Sequence, residues 1–113
     1  MTNKYFLLLI FIILVSKGVL SQTTKISLQV AGVCDMCKDR IENALDVKGV
    51  KTANWSVKTK ICNITYNNEK ITEKEIHEIL ASVGHDTQKC RASDDVYNNL
   101  YHCCHYKRSE FPK

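Results

Sequence analysis

The chain has 113 residues, of which 44% are hydrophobic and 25% charged, and its 16 Lys and Arg against 12 Asp and Glu give a formal net charge of +4. That length admits one small domain. Charges of both signs alternate along the sequence instead of forming a basic block, which argues against a nucleic-acid partner.

Lys4 opens an apolar run from Tyr5 to Val15, followed by Ser16, Lys17, Gly18, Val19, Leu20 and Ser21. A positive start, an apolar stretch too short to span a bilayer comfortably, and small residues at its end form the layout of a secretory signal. Cleavage is expected after Ser21, which leaves residues 22–113 outside the cytoplasm with no membrane anchor. An uncleaved anchor is the competing reading, and the shortness of the run weighs against it. All six Cys, at 34, 37, 62, 90, 103 and 104, lie beyond the cut. An even count in a short exported chain suggests a disulfide framework. Cys34 and Cys37, however, are two residues apart beside a helix start, the arrangement of a metal or redox site.

From Lys25 to Ala31 the residues Ile26, Leu28 and Val30 alternate with polar neighbours, predicting a half-buried strand. From Asp35 to Val47 the period becomes helical, with Cys37, Ile41, Ala44 and Leu45 on one face and Gly49 as the stop. Two strands follow, one carrying Ala53, Trp55 and Val57 and the other Cys62, Ile64 and Tyr66, joined by a turn near Lys58 to Lys60. Thr72 and Glu75 form a capping-box pattern ahead of a helix with Ile76, Ile79, Leu80 and Val83 on its apolar face, closed by Gly84. A last short strand is expected from His85 to about Lys89. The order strand, helix, strand, strand, helix, strand predicts an α+β fold, the ferredoxin-like βαββαβ sandwich with one antiparallel sheet and two helices on one face. Residues 22–90 form this domain, and residues 91–113 form a tail with a short helical stretch around Val96 and Leu100.

Thiolates bind metals, and the unpaired N–H groups at a helix N-terminus favour negative charge there. Cys34 just before the first helix and Cys37 in its first turn share that field. Two thiolates from one turn suit ions content with two or three sulfurs, such as Cu(I), Ag(I) or Hg(II), whereas a closed Zn(II) site wants four ligands.

The run Val30-Ala31-Gly32-Val33-Cys34-Asp35-Met36-Cys37, with Lys38, Arg40, Ile41, Glu42 and Leu45 behind it, resembles the metal loop and first helix of heavy-metal-associated domains. The likeness continues through Gly49-Val50 and Ala81-Ser82-Val83-Gly84. The resemblance implies the same fold, an exposed loop carrying Cu(I) or a related ion, and delivery by ligand exchange to a metal-transport or metal-handling protein. The fuller pattern, with a tail reading Tyr-x-x-Leu-x-x-Cys-Cys-x-Tyr-x-Arg, resembles small exported bacterial members, which implies a periplasmic location. Two features depart from the family. The usual loop reads Gly-Met-Thr-Cys, with the Met packed beneath the site, whereas here the loop is one residue shorter and Met36 sits inside the Cys pair. An aromatic commonly follows the Gly that ends the second helix, and here that residue is His85.

The topology brings the start of the last strand towards the first helix's N-terminus, so His85 is a candidate third ligand or pH-sensitive neighbour, or simply a packing residue in an aromatic's place. Met36 has a sulfur that could approach Cu(I). Cys62 shares a strand face with Ile64 and Tyr66 and reads as a small buried hydrophobe, and Trp55 belongs to the core. In the tail, His102, Cys103, Cys104 and His105 follow Cys90, a set that suits a second Zn or Cu(I) site or one shared with the loop. The alternative is a disulfide from Cys90 to Cys103 or Cys104.

Three functional classes stand side by side. The first is a metal carrier or scavenger. The second is a thiol-disulfide redox protein, disfavoured because only Pro112 is available and no cis-Pro loop can face the Cys pair. The third is a disulfide-stapled interaction module. No nucleophile with a paired base, no carboxylate pair and no phosphate-binding Gly loop is visible, so the chain reads as a non-enzyme.

Overall fold

A computed structural model describes residues 22–108 together with Asn3 and Tyr5. Apart from those two, the expected leader over residues 1–21 lies outside the described residues. In chain order the elements are β1 (Thr23–Gln29), α1 (Asp35–Ala44), β2 (Val50–Trp55), β3 (Ile61–Asn67), α2 (Glu73–Ser82), α3 (Asp94–Asn98) and a 3₁₀ turn (His102–Cys104). No helix among the described residues is long and apolar enough to cross a membrane.

The sheet has the order β1-β3-β2, with both pairings antiparallel. Its register sets Leu28 and Trp55 on either side of Cys62, and Ile26 and Ala53 on either side of Ile64. Alternation along β3 buries Cys62, Ile64 and Tyr66 on one face, as the period-two pattern predicts. That face joins Ile41 and Leu45 from α1 and Ile76 and Leu80 from α2 in one core. Cys62 has no exposure, and burial, aided by the Glu42 charge, pushes its thiol up to about 12, so it packs as an inert apolar group.

Helix α2 begins where the capping pattern places it. The Thr72 hydroxyl oxygen accepts the Glu75 N–H at 3.1 Å and faces the Glu75 carboxylate at 3.1 Å. Gly84 ends the helix with a φ of +102°, and the His85 N–H reaches back to the Leu80 carbonyl. A Cβ on Gly84 would also come within 2.9 Å of the Leu100 side chain, so the glycine lets the tail close over the helix end.

The final strand expected from His85 to Lys89 is reduced to a single bridge between Val30 and Thr87. Side chains take over the bonds a ladder would use. The Thr87 hydroxyl accepts the N–H groups of Lys89 and Cys90, curling the backbone into a turn, and the Gln29 N–H goes to the Gln88 side-chain oxygen at 2.7 Å. The fold is otherwise the ferredoxin-like arrangement. Helix α1 stops at Ala44, three residues earlier than its periodicity suggests, with Leu45 as its C-cap.

The tail beyond Ala92 is fastened to the domain. Ser93 caps α3 by accepting the Val96 N–H. Tyr106 donates its hydroxyl to the Gly84 carbonyl at 2.7 Å and accepts the Asp86 N–H at 2.9 Å. The Asp86 carboxylate is fully buried and takes two bonds from the Arg108 guanidinium, each 3.1 Å, and one from the Ala92 N–H at 2.7 Å. Breaking a buried pair leaves an uncompensated charge. Arg108→Met should therefore cost about 3–5 kcal/mol and loosen the tail. A drop in the urea midpoint together with faster proteolysis between Arg91 and Lys107 is the expected result.

Candidate metal centre

The residues entering the Cys loop are pinned from several sides. Val30 N–H donates to the Lys60 carbonyl and Ala31 N–H to the Asp86 carbonyl, at 2.9 and 2.8 Å. The Trp55 indole N–H donates to the Val30 carbonyl at 2.9 Å. Above that indole sits Gly32, where a Cβ would meet the ring at 2.8 Å. Only a residue without a side chain lets the loop lie this close, so Trp55 is the floor of the shortened loop.

Cys34 is the N-cap of α1 in extended conformation, with no side-chain capping bond of its own. Its carbonyl accepts the N–H groups of Cys37 and Lys38, which sets Cys37 in the first turn. The Val33 N–H points at the Cys37 sulfur at 3.4 Å. The sulfurs of Cys34 and Cys37 are 3.6 Å apart. Cys37 is fully buried and Cys34 partly so, a less open loop than the family resemblance implies.

The tail brings two more sulfurs to the same place. Cys103 and Cys104, consecutive in the 3₁₀ turn, each lie 3.7 Å from the Cys34 sulfur. Donor atoms of Cys34, Cys37 and Cys104 all fall within 4.8 Å of one another. Cys103 is exposed, and its thiol approaches the Met36 sulfur at 3.4 Å.

The other candidates lie elsewhere or face elsewhere. His102 and His105 are exposed, and the His105 ring stands against Tyr97 with centroids 5.1 Å apart. Cys90 borders a cavity of about 270 Å³ beside α2, lined also by Glu73, His77 and Lys89. All six thiols are free, so the crosslink weighed between Cys90 and Cys103 or Cys104 is not formed here. His85 is fully buried and stands outside the sulfur group. Its Nδ1 is 2.8 Å from the Ala31 carbonyl, so Nδ1 carries the proton and Nε2 is left as a buried acceptor with no partner among the described residues. Burial pulls its pKa below the ordinary imidazole value against the Ala31 bond, with Arg40 adding to the fall. The ring is thus a neutral strut under the loop and stacks with Tyr106 at 5.9 Å. A second buried imidazole, His77, bonded to Thr87 at 2.6 Å, carried no sequence signal beyond its place on a helix.

Burial acts to raise the Cys34 thiol, but the Cys37 N–H and the sulfurs of Cys37, Cys103 and Cys104 outweigh it and bring the group down to about 7. The same contact with Cys34 raises Cys103, and burial raises Cys104 strongly. One sulfur of the cluster, that of Cys34, is therefore favoured as thiolate near neutral pH, its charge supported by the Cys37 N–H and by the sulfurs around it. Alkylation of the reduced protein with iodoacetamide should modify Cys34 with a half-maximal rate near pH 7. Cys62 should stay unlabelled until the protein is denatured, as read by peptide mass spectrometry.

Known proteins resemble this chain over the segment that carries the fold and the Cys34–Cys37 pair. The heavy-metal-associated domain model matches residues 27–86. The copper chaperone CopZ of Staphylococcus saprophyticus is 30% identical over 64 residues, which cover 55% of this chain and 94% of the relative. The solved yeast copper transporter domain Ccc2a is 35% identical, with a TM-score of 0.52 over 56% of this chain and 89% of that one. A CopZ metallochaperone structure shares the fold at 24% identity, with a TM-score of 0.55 over 57% of this chain and 98% of its own. A thiol pair at the start of α1, on a ferredoxin-like sheet and within a matched family segment, places this chain in the heavy-metal-associated domain family.

Proposed function

We propose that this protein binds a soft metal ion, Cu(I) foremost, through Cys34 and Cys37, outside the cytoplasm, and that it carries or sequesters the ion without acting as an enzyme. The observation that carries this reading is the pair of sulfurs 3.6 Å apart at a helix N-terminus, with Cys34 as the N-cap and Cys37 in the first turn. The donor set fits such cargo, because thiolates select soft ions and their helix-end amides offset negative charge. Ag(I) and Hg(II) share the preference. Zn(II) would need further ligands.

Delivery proceeds by exchange: a partner's thiolate joins the ion, and one sulfur of this chain then leaves. A metal-transport protein with a thiol pair of its own suits that step, and kinship with a copper chaperone and a copper transporter domain supports it. The export pattern of residues 1–21 supports action outside the cytoplasm.

Anaerobic titration of the reduced protein with Cu(I), Zn(II) and Hg(II) tests the reading. Replacing both Cys34 and Cys37 by Ser should weaken Cu(I) binding at least about a hundredfold, or roughly 2.8 kcal/mol. Because Cys37 is in the core, some loss of stability accompanies the change, and far-UV circular dichroism should confirm that the fold persists. Undiminished Cu(I) affinity in the folded double variant would refute the assignment.

A further inference from the structure

The tail sulfurs are not explained by a two-cysteine carrier. Cys104 comes from the far end of the chain, yet its sulfur stands as near to Cys34 as Cys37 does, at 3.7 against 3.6 Å. This approach is built into the fold. The 3₁₀ turn is held by the Cys104 N–H on the Tyr101 carbonyl at 2.8 Å and by the Tyr106 N–H on the Cys104 carbonyl at 2.9 Å. The next residues are fixed through Tyr106 and Arg108 on Gly84 and Asp86. On the other side, Leu100 lies over Gly84. A thiol so anchored arrives at the loop with little ordering left to do on binding an ion.

Geometry discriminates between two and three donors. With each sulfur about 2.3 Å from the ion, two donors on opposite sides stand about 4.6 Å apart, and three in a plane stand about 4.0 Å apart. The Cys34–Cys37 spacing of 3.6 Å lies nearer the second arrangement, and Cys104 fills its third corner within 4.8 Å of both. His85 and Met36 do not compete for that corner. The imidazole stands outside the sulfur group, and the exposed Met36 thioether meets Cys103 instead.

We infer that Cys104 supplies a third thiolate to the ion held by Cys34 and Cys37, so that the tail closes the site into a three-sulfur centre for Cu(I). The inference rests on the assignment of Cys34 and Cys37 as ligands. Binding leaves the oxidation state of the ion unchanged and forms no sulfur–sulfur bond, and whatever protons the three sulfurs still carry pass to solvent. In a two-sulfur carrier an incoming partner thiolate finds the third position vacant; here it has to displace Cys104. The chain therefore keeps its ion longer than a two-sulfur domain does, a property suited to sequestration or to gated transfer. Cys103, exposed beside Cys34, stands at the mouth and is not one of the three.

X-ray absorption of the reduced full chain loaded anaerobically with one equivalent of Cu(I) tests this directly, because the wild-type protein alone reports the number of sulfurs. Three sulfurs per ion are expected in the wild type and in Cys103→Ala, and two in Cys104→Ala. Loss of Cu(I) to a soluble Cu(I) chelator should be at least tenfold faster from Cys104→Ala than from the wild type. Two sulfurs in the wild type, or three retained in Cys104→Ala, would overturn the inference while leaving the Cys34 and Cys37 assignment standing. Failure of the wild type to retain Cu(I) would overturn both.

Discussion

Asp86 is the point at which three distant segments are joined. Its backbone carbonyl holds Ala31 at the entry to the Cys loop, its N–H holds Tyr106 in the tail, and its carboxylate holds Arg108 and Ala92. A carboxylate with no exposure is tolerable only when it is paired and hydrogen-bonded, and here Arg108 and the Ala92 N–H supply three bonds to it. The loop, the end of α2 and the tail thus have fixed relative positions, and the sulfur cluster inherits that fixity.

The loop depends on a second close approach. Gly32 rests on the Trp55 ring, and the indole N–H ties the same ring to Val30. Met36, inside the Cys pair, takes no part in this packing and lies outside at 43% exposure. The close approach also explains why Cys37 is inside: with the loop drawn down on Trp55, the first turn of α1 is drawn down with it. The resulting site has one poised thiolate, two buried sulfurs and one sulfur at the surface. In the proposed carrier such a mixture would favour retention of a soft ion, since buried donors exchange only when the backbone that carries them moves.

His85 and His77 show how the fold uses imidazoles without exposing them. His85 supports the Ala31 carbonyl from beneath, and His77 fixes the Thr87 turn that ends the sheet early. Both rings are buried and held by hydrogen bonds from within the fold. Burial lowers both pKa values, and for His77 the nearby Glu73 only partly offsets this.

Much of this was legible in the sequence. Apolar period located the three sheet strands and both main helices, although Val57, expected on the second strand, lies in the turn after Trp55; Thr72 and Glu75 marked the start of α2, Gly84 its end, and the spacing of Cys34 and Cys37 the thiol pair, because all of these depend on neighbours within a few residues. The alternation through Cys62, Ile64 and Tyr66 likewise identified Cys62 as a buried apolar group. The shortened final strand was not legible, because the Gln88 side chain takes the Gln29 N–H from the ladder only when β1 is already beside it, while the Thr87 hydroxyl curls the following residues away. Nor was the partner of the tail cysteines. Local sequence shows four potential ligands from His102 to His105, but which of them turns towards the loop is decided by Tyr106, Arg108 and Asp86, contacts spanning about twenty residues that exist only after the chain has folded. Tertiary structure alone therefore selected Cys104 and Cys103 over Cys90 and the two histidines, because proximity across the fold is set by packing and buried charge and leaves no periodic trace in the chain.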